Sequence, residues 1–451
     1  VVEFMPPKTI TEAARGTGTS AERASESPGV ATRGMMLVLL VGVPLGFLAY
    51  SLVAWLRGWP LGVDSSVYRD GAVLFLHGHS LYHNNDLGYL HLSFTYPPAA
   101  ALLLTPLAAL PAQLAWAVMA SASVLGLVLV IRTAIATVPY WQFPAARSTL
   151  LLTLAMLCLV PVWRTIGLGQ VNILLMAMVA WDVLVVTDRG SRWGGVLTGV
   201  AAAVKLVPLI FIVHLFLTGK RAAAARVLAV FAGLQGLALI IAPQDRSYWT
   251  SYVFQTVRIG PAQSPVNQSI NGLMSRLADM SPWSSPAAWT IGAVLAVPAL
   301  MLVLRYCRRG QGVSALCVTA CFGLLLAPVS WLPCWVWIAP MVVALFSWLQ
   351  ATWRGSGQRR AAKWGRWAGA AAVIAVIAVF ASTYTVSTSQ QRHRTLSSFW
   401  FFVLTNPYVL TTIAIGLVLG ACWMRSVDSS PIGGTPQQRQ AVVLSGGEEG
   451  A

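Results

Sequence analysis

Carboxylates are so scarce in this 451-residue chain that each has to be accounted for. Between residues 27 and 427 there is no Glu, and there are seven Asp: Asp64, Asp70, Asp86, Asp182, Asp188, Asp245 and Asp279. Three of them fall in the stretch 62–98, together with four of the six histidines (His77, His79, His83, His91) and four tyrosines. Side chains of these types move protons and hold sugars. Asp64 stands about eight residues past a long apolar run, close to where a membrane face would lie. An acid at such a boundary is costly unless solvated or paired, so Asp64 is taken as a catalytic base. The alternative is a helix start or an ordinary loop acid, because Asp64-Ser65-Ser66-Val67 has the pattern of an N-terminal cap. Asp70, directly after Arg69, is expected to be ion-paired or solvated.

Phosphate binders are the next candidates. Lys205 lies mid-run in AAAVKLVPLI and needs an anionic partner, either Asp182 on the preceding helix or a lipid phosphate. Arg258 and Arg276 occupy the polar loop 243–286 beside Asn267, Gln268 and Asn271. Arginine grips phosphate bidentately, and amides suit sugar hydroxyls. Gln170 and Asn172 sit in RTIGLGQVN, a polar, Gly-containing break between apolar runs. Tyr68, Tyr96 in FTYPP and Trp331 in SWLPCW complete the candidate sugar-binding set. The Asn267-Gln268-Ser269 sequon is read as substrate-binding or structural. The histidines do not form a convincing helical H-x-x-x-H pair. The six cysteines show no C-x-x-C or Cys/His spacing, so neither a zinc site nor a disulfide framework is expected.

These residues must be positioned by membrane helices. The chain is 57% hydrophobic and 10% charged, against roughly 25% charged in soluble proteins. A hydrocarbon core needs roughly 20 apolar residues per helix, and about twelve such runs can be placed between residues 35 and 425. The fold class is therefore all-α polytopic membrane protein, one integral domain at 35–425, with Gly/Ser-rich tails at 1–34 and 426–451 expected to be disordered. The chain opens with Val-Val-Glu-Phe, and Met5 is the expected start. The run 35–56 is the first span, too long and without the cleavage site of a signal peptide. The net charge of +16 gathers at the ends of apolar runs, which suits positive-inside topology and anionic lipid rather than nucleic acid. Basic turns at 219–226, 305–309 and 354–366 fall inside, and loops 57–93, 243–286 and 383–407 outside. Arg189 and Arg192 land on the wrong side of a twelve-span count, which calls for a short or re-entrant element between 94 and 192.

Six motifs then coincide in order: VDSSVYRDGAVLFLHGHSLY, FTYPPAAALLLTPLAALP, GLGQVNILL, GVAAAVKLVPLIF, NQSINGLMSR, and APVSW followed by CWVW. Over roughly residues 35–425 this pattern resembles the actinobacterial polyprenyl-phosphomannose-dependent α-1,2-mannosyltransferases, glycosyltransferase family 87, with the GT-C fold. The resemblance implies a multi-pass protein of the bacterial plasma membrane with its active site on the periplasmic side. It implies a polyprenyl-phosphate-mannose donor, a mannoside glycolipid acceptor of the phosphatidylinositol mannoside or lipomannan type, and no metal or other cofactor. The family's first-loop Asp, in V-D-x-x-V-Y, maps onto Asp64 as general base. One departure is that family members often carry histidines after S-P-x-S-W, where this chain reads Trp331-Leu332-Pro333-Cys334-Trp335. The competing class is a transporter or flippase of lipid-linked sugars, which predicts internal inverted repeats; no convincing repeat is present. An enzyme using lipid-linked arabinose or glucose is the nearer alternative.

Overall fold

The computed structural model describes residues 29–83, 86–355, 360–382 and 398–428. The tails at 1–28 and 429–451, residues 383–397 of the third polar loop, and the side chains of the basic cluster Arg354, Arg359, Arg360 and Lys363 lie outside the described residues. Regular structure in the described part is helical, with two isolated bridge pairs, Leu87 with Leu92 and Asn267 with Trp331. In chain order the helices are α1 (Val30–Arg57), α2 (Val63–Leu76), α3 (Pro98–Leu103), α4 (Ala112–Thr137), α5 (Ala145–Leu157), α6 (Val160–Leu168), α7 (Asn172–Thr187) and α8 (Val196–Val204). They continue as α9 (Val207–Leu217), α10 (Arg221–Ile241), α11 (Ile270–Leu277), α12 (Ser284–Arg308), α13 (Gly312–Leu326), α14 (Leu332–Trp353), α15 (Arg360–Ala381), α16 (Ser398–Thr405) and α17 (Pro407–Asp428).

Five helices, α1, α4, α10, α12 and α14, are long and apolar enough to cross a membrane, and the bent pair α5–α6 makes a sixth if it counts as one span. The chain is a membrane protein. Several runs that read as continuous spans are broken, and proline is the physical reason. Pro161, in the first turn of α6, has no N–H to continue the ladder from α5, and the two helices meet at 76°. Pro208 does the same to the run 196–217. Helix α8 stops at Val204, and Lys205 takes an extended conformation (φ −147°, ψ 134°) before α9 begins. The short apolar segment begun at Phe94 contains the six-residue α3 and a following 3-10 turn at Thr105–Ala109, too short to cross. The first helix begins at Val30, five residues ahead of the expected span.

The layers separate by what their faces touch. α4 and α14 are mostly buried, while α1, α10 and α12 leave apolar side chains such as Leu52, Ile240 and Val294 exposed, as helices bordering lipid do. α10 starts at the basic turn with Arg221 and ends beside Asp245, whereas α12 starts at Ser284 and ends with Arg305 and Arg308. The polar loops and the basic turns therefore lie at opposite ends of these helices.

Candidate active site

The site forms where the first turn of α2 meets the last turn of α6. Each turn is bordered by a glycine in the left-handed region, Gly62 at φ +65° and Gly169 at φ +68°. A Cβ on Gly62 would come within 2.2 Å of Ser65 Oγ, and one on Gly169 within 2.6 Å of the same atom. The indole of Trp116, on the central helix α4, closes the junction by donating to the carbonyls of Ile166 and Gly167 at 3.0 Å. Bare backbone on both sides of Ser65 lets its neighbour Asp64 approach Gln170, the neighbour of Gly169.

A continuous hydrogen-bonded chain results. Gln170 Nε2 donates to Asp64 Oδ2 at 2.9 Å, Asn172 Nδ2 donates to Gln170 Oε1, and Lys205 Nζ donates to Asn172 Oδ1 at 2.9 Å. The carboxylate at one end and the ammonium at the other fix both amide orientations, so the two dipoles align from the negative to the positive terminus. The amides are buried, while Asp64 and Lys205 keep partial exposure. Asp64 makes no capping bond, and the α2 N-cap is Gly62, so the capping role is not what holds it. Burial pushes the Asp64 carboxyl above its ordinary value, and the Gln170 bond and the Lys205 charge oppose that rise.

Tyr96 forms one wall. Its ring lies 5.7 Å from Lys205 Nζ, and its hydroxyl meets that of Tyr68 at 2.8 Å. Burial raises both phenols, most of all Tyr68, and keeps them protonated. Lys205 also reaches Cys334 Sγ at 3.6 Å. Below this cluster a cavity of about 40 Å³ has Asn172, Lys205 and Cys334 at its polar end and Met176, Phe211, Leu324 and Trp337 along its apolar part.

Of the residues singled out from sequence, Asp64, Tyr68, Tyr96, Gln170, Asn172 and Lys205 come together here, and the rest stand elsewhere. Asn267 and Gln268 are fully buried. The Asn267 carboxamide serves Ala262, Pro328 and Ser330, and that of Gln268 serves Pro265, Thr405 and Tyr408. Arg276 is bound to Asn406 and to the carbonyls of Ser264 and Asn267. Trp331 pairs with Asn267 through a bridge and lies against Gly260. Arg258 joins an aromatic cluster around Tyr82 and Tyr252. Asp182 is not the partner of Lys205. It accepts from the backbone N–H groups of Gly195 and Thr198 at 2.8 Å and so caps α8. Asp70 pairs with Arg69 and accepts from Gly88 N, which ties α2 to the following loop. Among the described residues no three His, Cys, Asp or Glu side chains gather as a metal would require. Cys334 was legible only as a departure from a motif, because nothing local marks a cysteine as the neighbour of a distant lysine.

The family model for glycosyltransferase family 87 matches residues 94–328. A polyprenol-phosphate-mannose-dependent alpha-(1-2)-phosphatidylinositol mannoside mannosyltransferase of Mycobacterium tuberculosis is 33% identical over 340 residues, 69% of this chain and 76% of that protein. A polyprenol-phosphate-mannose-dependent alpha-(1-2)-phosphatidylinositol pentamannoside mannosyltransferase of the same species is 32% identical over 347 residues, 73% of this chain and 76% of that one. Among solved structures, ArnT from Cupriavidus metallidurans bound to undecaprenyl phosphate aligns over 84% of this chain and 76% of its own, with 17% identity and a TM-score of 0.39.

Proposed function

The chain belongs to glycosyltransferase family 87, and we propose that it moves mannose from polyprenyl-phosphate-mannose to a phosphatidylinositol mannoside, forming an α-1,2 linkage with inversion. The observation that carries this reading is the Asp64–Gln170–Asn172–Lys205 chain, which holds one carboxylate and one ammonium at opposite ends of one site. Asp64 accepts the proton of the acceptor 2-hydroxyl as that oxygen attacks C1 of the donor mannose. The C1–O bond to phosphate breaks, and its electron pair leaves with the polyprenyl phosphate. The phosphate goes from one negative charge to two in that step, so a fixed cation stabilises the transition state more than the bound donor. Lys205 supplies that cation, and its positive charge has no carboxylate ion-pair partner among the described residues. No metal or other cofactor enters this scheme.

Asn267, Gln268, Arg276 and Trp331 brace the loop 243–286 against the segments at Pro328–Trp331 and Thr405–Asn406. The whole takes the GT-C arrangement with about twelve crossings, and the site faces the extracytoplasmic side of a bacterial plasma membrane. Support for that orientation comes from the basic turns at the opposite helix ends. Both relatives are named as mannose-transferring enzymes, which favours mannose over arabinose or glucose as the donated sugar. The test is direct. Purified protein in lipid nanodiscs receives labelled polyprenyl-phosphate-mannose and a phosphatidylinositol mannoside, and the product is analysed for a new α-1,2 bond. Label confined to another linkage, or no transfer, contradicts the proposal.

A further inference from the structure

Arg258 touches no member of the Asp64–Lys205 chain. It belongs to a second cluster, reached through Tyr82, whose hydroxyl donates to the Tyr96 carbonyl at 2.8 Å. The buried Tyr82 ring packs on Tyr248 and on Tyr252, each with centroids 5.2 Å away. Asp245 clamps the loop that carries Tyr82, accepting from Leu81 N at 3.0 Å and from Ser80 Oγ at 3.3 Å. The Arg258 guanidinium lies 4.6 Å from the Tyr252 ring centre and donates to the Tyr82 carbonyl at 3.0 Å. Its plane is therefore fixed by a ring and one carbonyl, and its other N–H groups meet no protein acceptor among the described residues. Among the described residues no carboxylate forms an ion pair with it. A partly exposed guanidinium held this way is a prepared receptor for phosphate.

The depth of this receptor is set by its neighbours. Phe254 and Val257 are 76% and 85% exposed, and the loop continues from the lipid-bordering end of α10 at Ile240 and Ile241. Large apolar side chains in the open beside a cation suit the bilayer interface, where lipid phosphates lie. Contacts run from Arg258 to Tyr82, from Tyr82 to Tyr96 and from Tyr96 to Lys205, so two tyrosines stand between the cations along this path.

We propose that Arg258, seated on Tyr252, binds the phosphodiester of the acceptor glycolipid's head group, leaving Lys205 to the phosphate of the donor. This rests on the mannosyl transfer proposed above. The acceptor's reacting mannose then extends from the interface across the Tyr82–Tyr96 wall to Asp64. Arg258 thereby selects phosphoinositol-bearing mannosides over simple ones.

The test compares two acceptors with the full chain in nanodiscs, a phosphatidylinositol mannoside and octyl α-mannoside, which lacks the phosphodiester. Arg258→Ala is expected to lower the ratio of their kcat/KM values about tenfold or more, the scale of a charge-assisted hydrogen bond. The KM for the donor stays unaltered. Arg258→Lys restores part of the ratio, because an ammonium does not replace a bidentate fork. Tyr252→Leu, which removes the seat and keeps the charge, lowers the same ratio by a smaller factor. An unaltered ratio in Arg258→Ala, or a raised donor KM, overturns the assignment while leaving mannosyl transfer intact. An unsubstituted protein that transfers no mannose fails the earlier proposal first, and this one with it.

Discussion

Gln170 Nε2 donates to Asp64 Oδ2 across 2.9 Å, although 106 positions separate the two residues in the chain. That contact occupies one oxygen of the carboxylate and leaves the other for an incoming hydroxyl. It also presents Gln170 Oε1 to Asn172, whose own oxygen is presented to Lys205. The proposed base and the proposed phosphate-binding cation are thereby held in one fixed geometry.

The pH dependence of transfer follows from this contact. The Gln170 bond lowers the Asp64 pKa against the larger effect of burial. As the proposed base, Asp64 acts only when ionised, so activity is expected to rise with pH through its pKa. That acid limb is expected above the ordinary carboxylate value of about 3.9. Gln170→Leu removes the opposing bond, so the limb of kcat/KM against pH shifts to higher pH and part of the activity returns on raising the pH. A variant whose loss is the same at every pH would show that Gln170 does not act through Asp64.

Lys205 gives a different signature. Lys205→Met is expected to lower kcat by about 10²–10³-fold, the scale of losing one fixed electrostatic group at a developing charge. The acid limb also moves up in this variant, because the Lys205 charge opposes the rise in the Asp64 pKa. The melting temperature is expected to fall, because the buried Asn172 Oδ1 loses the Lys205 donor. Steady-state kinetics and a melting curve on the same preparation check all three.

Glycine 169 is tested by its lack of a side chain. Gly169→Ala places a Cβ 2.6 Å from Ser65 Oγ at a φ of +68°. The left-handed conformation alone costs about 1–2 kcal/mol, and the clash parts Asp64 from Gln170. Both the melting temperature and transfer are expected to fall. Gly167→Ala, two residues earlier in open space, is the control and should change neither appreciably. Equal effects of the two substitutions would contradict the proposed packing of Gly169 on Ser65.

Much of this was visible along the chain. The scarcity of acids marks Asp64, and Lys205 stands out as a charge inside an apolar run. The break at Lys205 is also written there, in the Pro208 that follows three residues later, but hydropathy alone merges α8 and α9 into one span. Gln170 and Asn172 were identifiable as polar residues in a Gly-containing break, though their order in a chain between two charges was not. Asn267, Gln268 and Arg276 show the limit most clearly. Their types suit sugars and phosphate, yet in the folded chain their polar atoms meet the carbonyls of Pro328 and Thr405 and the side chain of Asn406. Such partners are set by tertiary contact and leave no trace in local sequence.

The most direct test of the central claim is transfer by Asp64→Asn, measured beside its melting temperature. Burial raises the Asp64 pKa, so the folded state favours the protonated, neutral form. Its contribution to stability is present at low pH and is lost as pH rises through the raised value. A neutral amide removes that cost, and Asp64→Asn is expected to melt at the same temperature or higher at neutral pH. Mannosyl transfer should fall by at least about 10²-fold, the scale of losing a general base. A well-folded Asp64→Asn protein that transfers mannose at a near-normal rate would contradict the assignment of Asp64 as the base.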